Sequence, residues 1–146
     1  MARVRSVDLG SSFLPSLEGV CELLLVRHGE QAFVADMPLS EGVDAPLTEL
    51  GRQQAEAVGA RLAETTIDAV YTSTMQRARD TGLAIASHHD LTISELHSLR
   101  EIHLWERLPQ DKGLVESLGA DELKRIMRAG NRSRRWDSYP HAEPRD

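Results

Sequence analysis

Short apolar runs alternate with stretches of helical periodicity between residues 22 and 96, and this alternation constrains the fold more than any other feature. The apolar runs lie at 22–26, 67–71 and 91–93, and they are short enough to be strands. The first run is apolar without alternation, which is typical of a strand covered on both faces. The order strand, loop, helix, strand, helix, strand predicts an α/β fold with a mostly parallel sheet and helices on its faces.

Two helices are predicted between these strands. Thr48 is expected to be the N-cap of the first, after a loop at 31–46. Its apolar positions share one side at helical spacing; they are Leu50, Ala55, Val58 and Leu62. The second helix is expected over about 74–88, and further helical stretches lie near 114–119 and 121–130. Cys21 precedes the first strand and is expected to pack against the core.

Charge and cysteine content exclude several classes of protein. The chain of 146 residues has a formal net charge of −6, and its single cysteine rules out an intramolecular disulfide. No apolar run approaches the roughly 18–20 residues that span a bilayer, so we expect no membrane partner. These features favour a reducing, cytoplasmic setting.

Six cations without an acid lie between residues 124 and 135, and the rest of the chain is strongly acidic. An acidic body argues against nucleic-acid binding. The cation cluster is interpreted either as a solvated helix face or as a lid that holds an anionic substrate.

Polar residues follow each predicted strand, at 27–30, 73–77 and 100–101. The carboxyl ends of adjoining parallel strands meet at one edge of a sheet, so these residues are expected to lie close together there. Arg27 and Arg77 would then direct forked hydrogen-bond donors at the same phosphate group. The pattern predicts an anion site for a small phosphorylated substrate or inorganic phosphate.

The residues between these arginines suggest a reaction as well as a binding site. His28 is a nitrogen nucleophile, and Gly29 would leave space for the ligand to approach. Glu101 could protonate a leaving alkoxide. Together these residues predict phosphoryl transfer by positioning and electrostatics, without a metal or other cofactor.

Four motifs, in order, resemble those of a known family. Leu-Leu-Val-Arg-His-Gly-Glu at 24–30 resembles its Arg-His-Gly signature, and 46–55 resembles its PLTxxGxxQA segment. The stretch 73–81 resembles SxxxRAxxT, and 99–106 resembles LxE followed by WE. On these motifs the chain is similar to the histidine phosphatase superfamily, which includes the phosphoglycerate mutases.

The resemblance implies a fold, a mechanism and a set of site residues. The fold would be the three-layer α/β/α, phosphoglycerate mutase-like one, and the reaction would pass through a phosphohistidine on His28. Arg27 and Arg77 would bind the phosphate, with His28 and Gly29 beside it, and Glu101 would be the proton donor. The family needs no metal.

Two departures from the family pattern bear on function. Family members carry a second pocket histidine in a late His-Gly motif, whereas this sequence has no second His-Gly pair, and His141 is not assigned that role. Gln31-Ala32-Phe33-Val34 replaces the common T-x-x-N, so a pocket asparagine is missing. We therefore expect residues 21–146 to form a partial histidine phosphatase domain lacking its C-terminal part, after a loose leader at 1–20, with an open sheet edge that favours homo-oligomers.

Three functions are compatible with these residues. Hydrolysis of a small phosphate monoester is the preferred one. The alternatives are a phosphoglycerate mutase-like transfer to another hydroxyl group, and an inactive, truncated protein that binds phosphate or a partner.

Overall fold

The structure is a computed structural model that describes residues 21–34, 36–133 and 139–141. The predicted leader at 1–20 lies outside the described residues. The helices and strands, in chain order, are α1 (Leu39–Gly42), α2 (Glu49–Leu62), β1 (Val70–Thr72), α3 (Gln76–Ala86), β2 (Ile93–Glu95), α4 (Leu114–Leu118) and α5 (Ala120–Ser133). A 3-10 turn, His97–Leu99, follows β2.

The sheet and its crossover helix form a β-α-β unit. Strands β1 and β2 pair in parallel, with Val70 opposite Ile93 and Thr72 opposite Glu95. Helix α3 connects them and packs against both strands. This confirms the predicted α/β class and its parallel sheet, with strand bounds shifted by one to three residues. Tyr71, on the face opposite to α3, is 60% exposed.

Helix α2 begins where the sequence predicts. The Thr48 side chain accepts a hydrogen bond from the Gly51 backbone N–H at 2.9 Å, which satisfies one of the unpaired donors of the first turn. Its buried face is formed by Gly51, Ala55, Gly59 and Leu62. Leu50 is 49% exposed, so its predicted burial is wrong. A rotation of about 100° per residue places it well away from that face.

Small residues bring α2 and α3 close together. An added Cβ on Gly59 would lie 2.6 Å from the Ala84 carbonyl oxygen, so only glycine allows this approach. At the sheet side of α3, a Cβ on Gly82 would collide with the Thr72 side chain. The predicted inward positions Met75 and Ile85 are 5% and 6% exposed. Helix α3 is therefore packed on both sides, against α2 and against the sheet.

The predicted strand at 22–26 is not formed. Its residues have no regular secondary structure, and the side chains of Leu23 and Leu25 are 76% and 87% exposed. A strand requires a paired neighbour and a covered face, and an apolar run supplies neither by itself. Cys21 is also exposed, so the expectation that it packs in the core is wrong.

The C-terminal part of the described chain is helical, as predicted. Helices α4 and α5 pack together, and Ile126 of α5 is 3% exposed. The ring of Trp105 meets that of Tyr139 edge to face, with centroids 5.7 Å apart. Across the described residues, no helix combines the length and apolar character needed to cross a bilayer.

Candidate active site

Three of the predicted site residues meet around one guanidinium group. Arg77 donates from Nε to His28 Nε2 at 3.2 Å and from Nη2 to Glu101 Oε2 at 2.9 Å. Its Nη1 donates to the Val43 carbonyl oxygen at 3.0 Å. Arg77 is only 4% exposed, and a buried charge is tolerated when it is paired and hydrogen-bonded in this way. The guanidinium is thus held in one position from three sides.

Arg77 lies in the first turn of α3, and hydrogen bonds to neighbouring side chains hold that turn in place. Asp44 Oδ1 accepts a hydrogen bond from the Gln76 backbone N–H at 2.7 Å, so a distant loop satisfies a donor that the N-cap residue, Met75, leaves free. Ser73 Oγ accepts from the Met75 N–H at 3.2 Å. Two side chains therefore hold the backbone at the start of α3. This fixes the position of the backbone at Arg77, the residue after Gln76.

The imidazole of His28 is oriented by its own chain. Nδ1 lies 2.7 Å from the Gly29 carbonyl oxygen, and because a carbonyl only accepts, Nδ1 carries the proton in this hydrogen bond. Nε2 of the neutral ring then presents its lone pair to Arg77. The Gly29 N–H donates to Thr81 Oγ1 at 3.2 Å, and that hydroxyl donates to the Arg77 carbonyl oxygen at 2.8 Å. Thr81 thereby links residues 28–30, called the histidine segment below, to α3.

Helix α2 holds the same segment from the other side. Gln54 Oε1 accepts from the Glu30 N–H at 2.8 Å, and the Thr48 hydroxyl donates to the Glu30 carboxylate at 2.8 Å. A Cβ on Gly29 would collide with the Gly51 carbonyl oxygen, and one on Gly51 would collide with the Glu30 carbonyl oxygen. The PLTxxGxxQA motif thus supports the histidine segment and does not itself enter the site.

Two predicted site residues are placed differently from Arg77 and His28. Arg27 is exposed, and it makes no hydrogen bond or ion pair within the described ranges, so its convergence on a shared phosphate stays a prediction. Gly29 is buried, and the space its missing side chain leaves is occupied by the backbone of Gly51. Its role in ligand approach also stays a prediction.

Arg100 adds a further cation beside the start of α3. Its Nε lies 3.3 Å from the Met75 sulfur, and its Nη1 lies 3.3 Å from His97 Nε2. Neither is a carboxylate, so the positive charge is not neutralised by these contacts. Glu101, the next residue, has a side chain that is 56% exposed.

Sequence reasoning missed the supporting contacts. Thr81 belongs to the SxxxRAxxT motif, and its spacing of four residues from Arg77 places both residues on one side of α3. The carbonyl of Val43 and the carboxylate of Asp44 reach the site from a loop, and no sequence pattern signals such contacts. Among the residues the structure describes, no group of three or more His, Cys, Asp or Glu could hold a metal ion.

Comparison with known proteins identifies the family. The model of the histidine phosphatase superfamily, branch 1, matches residues 23–134, a range that contains the whole constellation described above. This chain belongs to the histidine phosphatase superfamily. The resemblance seen in the four sequence motifs is thereby confirmed.

Individual members of the superfamily are also similar to this chain in sequence and in structure. Fructose-2,6-bisphosphatase TIGAR B of Danio rerio is 32% identical over 124 residues, which cover 83% of this chain and 46% of that protein. YhfR of Bacillus stearothermophilus is 34% identical with a TM-score of 0.51, covering 68% of this chain and 46% of that one. A mycobacterial glucosyl-3-phosphoglycerate phosphatase, solved in complex with VO3, is 27% identical with a TM-score of 0.52, covering 64% and 44%. The chain spans less than half the length of these relatives.

Proposed function

We propose that this chain hydrolyses a small phosphate monoester through a phosphohistidine on His28. The observation that carries this proposal is the contact between His28 Nε2 and the buried guanidinium of Arg77 at 3.2 Å. A phosphate bound to that guanidinium would lie beside the lone pair of Nε2. The names of two relatives, a fructose-2,6-bisphosphatase and a glucosyl-3-phosphoglycerate phosphatase, support a phosphorylated small molecule as the substrate.

The first chemical step is attack by the imidazole. Nε2 forms a bond to phosphorus while the bond from phosphorus to the ester oxygen breaks, and the alkoxide takes a proton from Glu101. The hydrogen bond from Nδ1 to the Gly29 carbonyl keeps the ring in the correct tautomer and orientation. Arg77 stabilises the charge that develops on the phosphoryl oxygens.

The ion pair between Arg77 and Glu101 has a consequence for the proton donor. In the absence of substrate, Arg77 Nη2 holds Glu101 Oε2 at 2.9 Å. A substrate phosphate would compete for the same guanidinium and release the Glu101 side chain, which is 56% exposed. Glu101 would then be free to face the leaving oxygen, where the first step requires a proton.

The second step regenerates the enzyme. Water attacks phosphorus, the bond between Nε2 and phosphorus breaks, and Glu101 accepts the proton of the water. Inorganic phosphate then leaves Arg77. We extend the proposal to Arg27 as a second phosphate ligand, to catalysis without a metal, and to a cytoplasmic setting, which the single cysteine supports.

Hydrolysis of p-nitrophenyl phosphate by the purified chain tests the proposal. We expect turnover that EDTA does not reduce and that His28→Ala abolishes, while His88→Ala, on a histidine near the end of α3, leaves it unchanged. Equal activity in the His28→Ala variant would overturn the proposal. Phosphoryl exchange between two isomers of a phosphorylated acid, faster than release of phosphate, would indicate a mutase instead.

A further inference from the structure

Helix α5 carries a strongly cationic face outside the candidate active site. Lys124, Arg128 and Arg132 follow one another at intervals of four residues, so their side chains lie along one side of the helix. All three are exposed. They border a surface cavity of about 530 Å³ whose described lining is Asp121, Lys124, Arg125, Arg128, Ala129 and Arg132. None of these residues belongs to the site around Arg77.

The opposite side of α5 is fixed against the protein. Ile126 is 3% exposed, and a Cβ on Gly130 would lie 2.5 Å from the Tyr139 ring. The helix is therefore held with its cations outward. A face held in this way presents its charges to a ligand without first having to be ordered.

These three cations are not neutralised within the described part of the chain. Arg125, on the same helix, is paired with Glu122 through two hydrogen bonds of 2.7 and 2.6 Å, and this pairing lowers the pKa of the Glu122 carboxyl group. Among the residues that the structure describes, no acid forms an ion pair with Lys124, Arg128 or Arg132, although Asp121 lines the same cavity. Like charges four residues apart destabilise a helix, so the arrangement favours an anion that would offset the repulsion.

We propose that this face binds a small soluble polyanion with several linked phosphoryl groups. The three cations extend over about 12 Å of helix axis, at 1.5 Å per residue, and can contact more than one phosphoryl group at once. The proposed site is independent of the phosphatase reaction at His28.

Charge and burial favour a small ligand over a macromolecule. Six of the 17 cations lie within 124–135, so the rest of the chain has 11 cations and 23 acids, a net charge of −12. That charge would repel the extended phosphate backbone of a nucleic acid. A membrane-surface helix inserts its apolar side, whereas Ile126 and Gly130 of α5 are buried against the protein, and Met127 is the large apolar side chain of the helix that is exposed, at 40%.

Titration of the full chain with tripolyphosphate, followed by ¹H–¹⁵N NMR, tests the proposal. We expect saturable shifts of the backbone amides of 124–132. Arg128→Ala and Arg132→Ala should each weaken this binding at least fivefold. Arg61→Ala, which removes an exposed cation from α2, should change it less than twofold. Circular dichroism of each variant confirms that α5 is retained.

Four results would overturn the proposal. The first is shifts confined to residues around His28, and the second is equal weakening by Arg61→Ala and Arg128→Ala, which would indicate diffuse attraction. The third is equal affinity for orthophosphate, which would remove the need for linked phosphoryl groups. The fourth is tighter binding of duplex DNA or of anionic lipid vesicles, lost in the same variants, which would assign the face to a macromolecule.

Discussion

The guanidinium of Arg77 is planar and forked, and each of its three nitrogen atoms donates a hydrogen bond to a different partner. It reaches an imidazole nitrogen, a carboxylate and a backbone carbonyl from three different nitrogen atoms. An ammonium group on a flexible stem cannot reproduce that geometry. Shape as well as charge at this position should therefore matter for catalysis.

We expect Arg77→Lys to lower kcat/KM for phosphate monoesters by about 10²-fold, the usual loss when one oxyanion donor is removed. Arg79→Lys is the matched control, because Arg79 lies on the same helix, is paired with Glu95 at 3.1 Å and has a side chain that is 44% exposed. Steady-state kinetics gives kcat/KM for both variants, and thermal unfolding shows whether each is still folded. An equal loss of kcat/KM in Arg77→Lys and Arg79→Lys would show that any arginine-to-lysine change in α3 lowers activity, and would contradict a specific role for Arg77.

Glu101 is expected to act only when the leaving group needs a proton. Glu101→Gln should slow hydrolysis of alkyl phosphates by about 10²-fold or more and of p-nitrophenyl phosphate much less, because nitrophenolate leaves without protonation. Comparison of kcat for the two substrates measures this difference. Equal losses would remove Glu101 from the role of proton donor.

The order of the family motifs was sufficient to predict that His28, Arg77 and Glu101 lie together. The sheet-edge argument holds only in part, because the run at 22–26 that precedes His28 does not form a strand. The sequence was not sufficient for the groups that hold them. The Val43 carbonyl and the Asp44 carboxylate come from a loop whose path depends on tertiary packing. Such contacts leave no periodic pattern in a sequence.

At the scale of the elements, Thr48 links α2 to the histidine segment. Its hydroxyl accepts from the Gly51 N–H and donates to Glu30, so one side chain caps the helix and holds the residue two positions after His28. Thr48→Ala should lower the free energy of unfolding by about 1 kcal/mol. Thr48→Ser, which keeps the hydroxyl, should lose much less, and chemical denaturation of both variants measures the difference. A loss in Thr48→Ser as large as in Thr48→Ala would contradict this account of the cap.

The elements also show where sequence patterns mislead. Helices α2 and α3 were predicted because capping and periodicity are local properties of the chain. The run at 22–26 was predicted as a strand from its apolar composition, yet no strand pairs with it in the described part of the chain. Strand formation depends on neighbours that are distant in sequence, and a local pattern cannot supply them.

For the molecule as a whole, the exposed apolar run has a predicted consequence in solution. Side chains as exposed as those of Leu23 and Leu25 favour association. We expect concentration-dependent oligomers in size-exclusion chromatography with light scattering, and fewer of them in the double variant Leu23→Ser, Leu25→Ser. Leu50→Ser, at an exposed leucine of α2, is the control and should not change the distribution. A monodisperse monomer at all concentrations would show that this prediction is wrong.

The central claim is that the whole arrangement serves covalent catalysis by His28. Its most direct test is to incubate the chain with excess p-nitrophenyl phosphate, quench it in alkali, in which phosphohistidine survives, and analyse the digested protein by mass spectrometry. We predict one phosphoryl group on the peptide that contains His28, and none on that peptide in the His28→Ala variant. Turnover of the substrate with no phosphoryl group on His28, or with one on a different residue, would contradict the account.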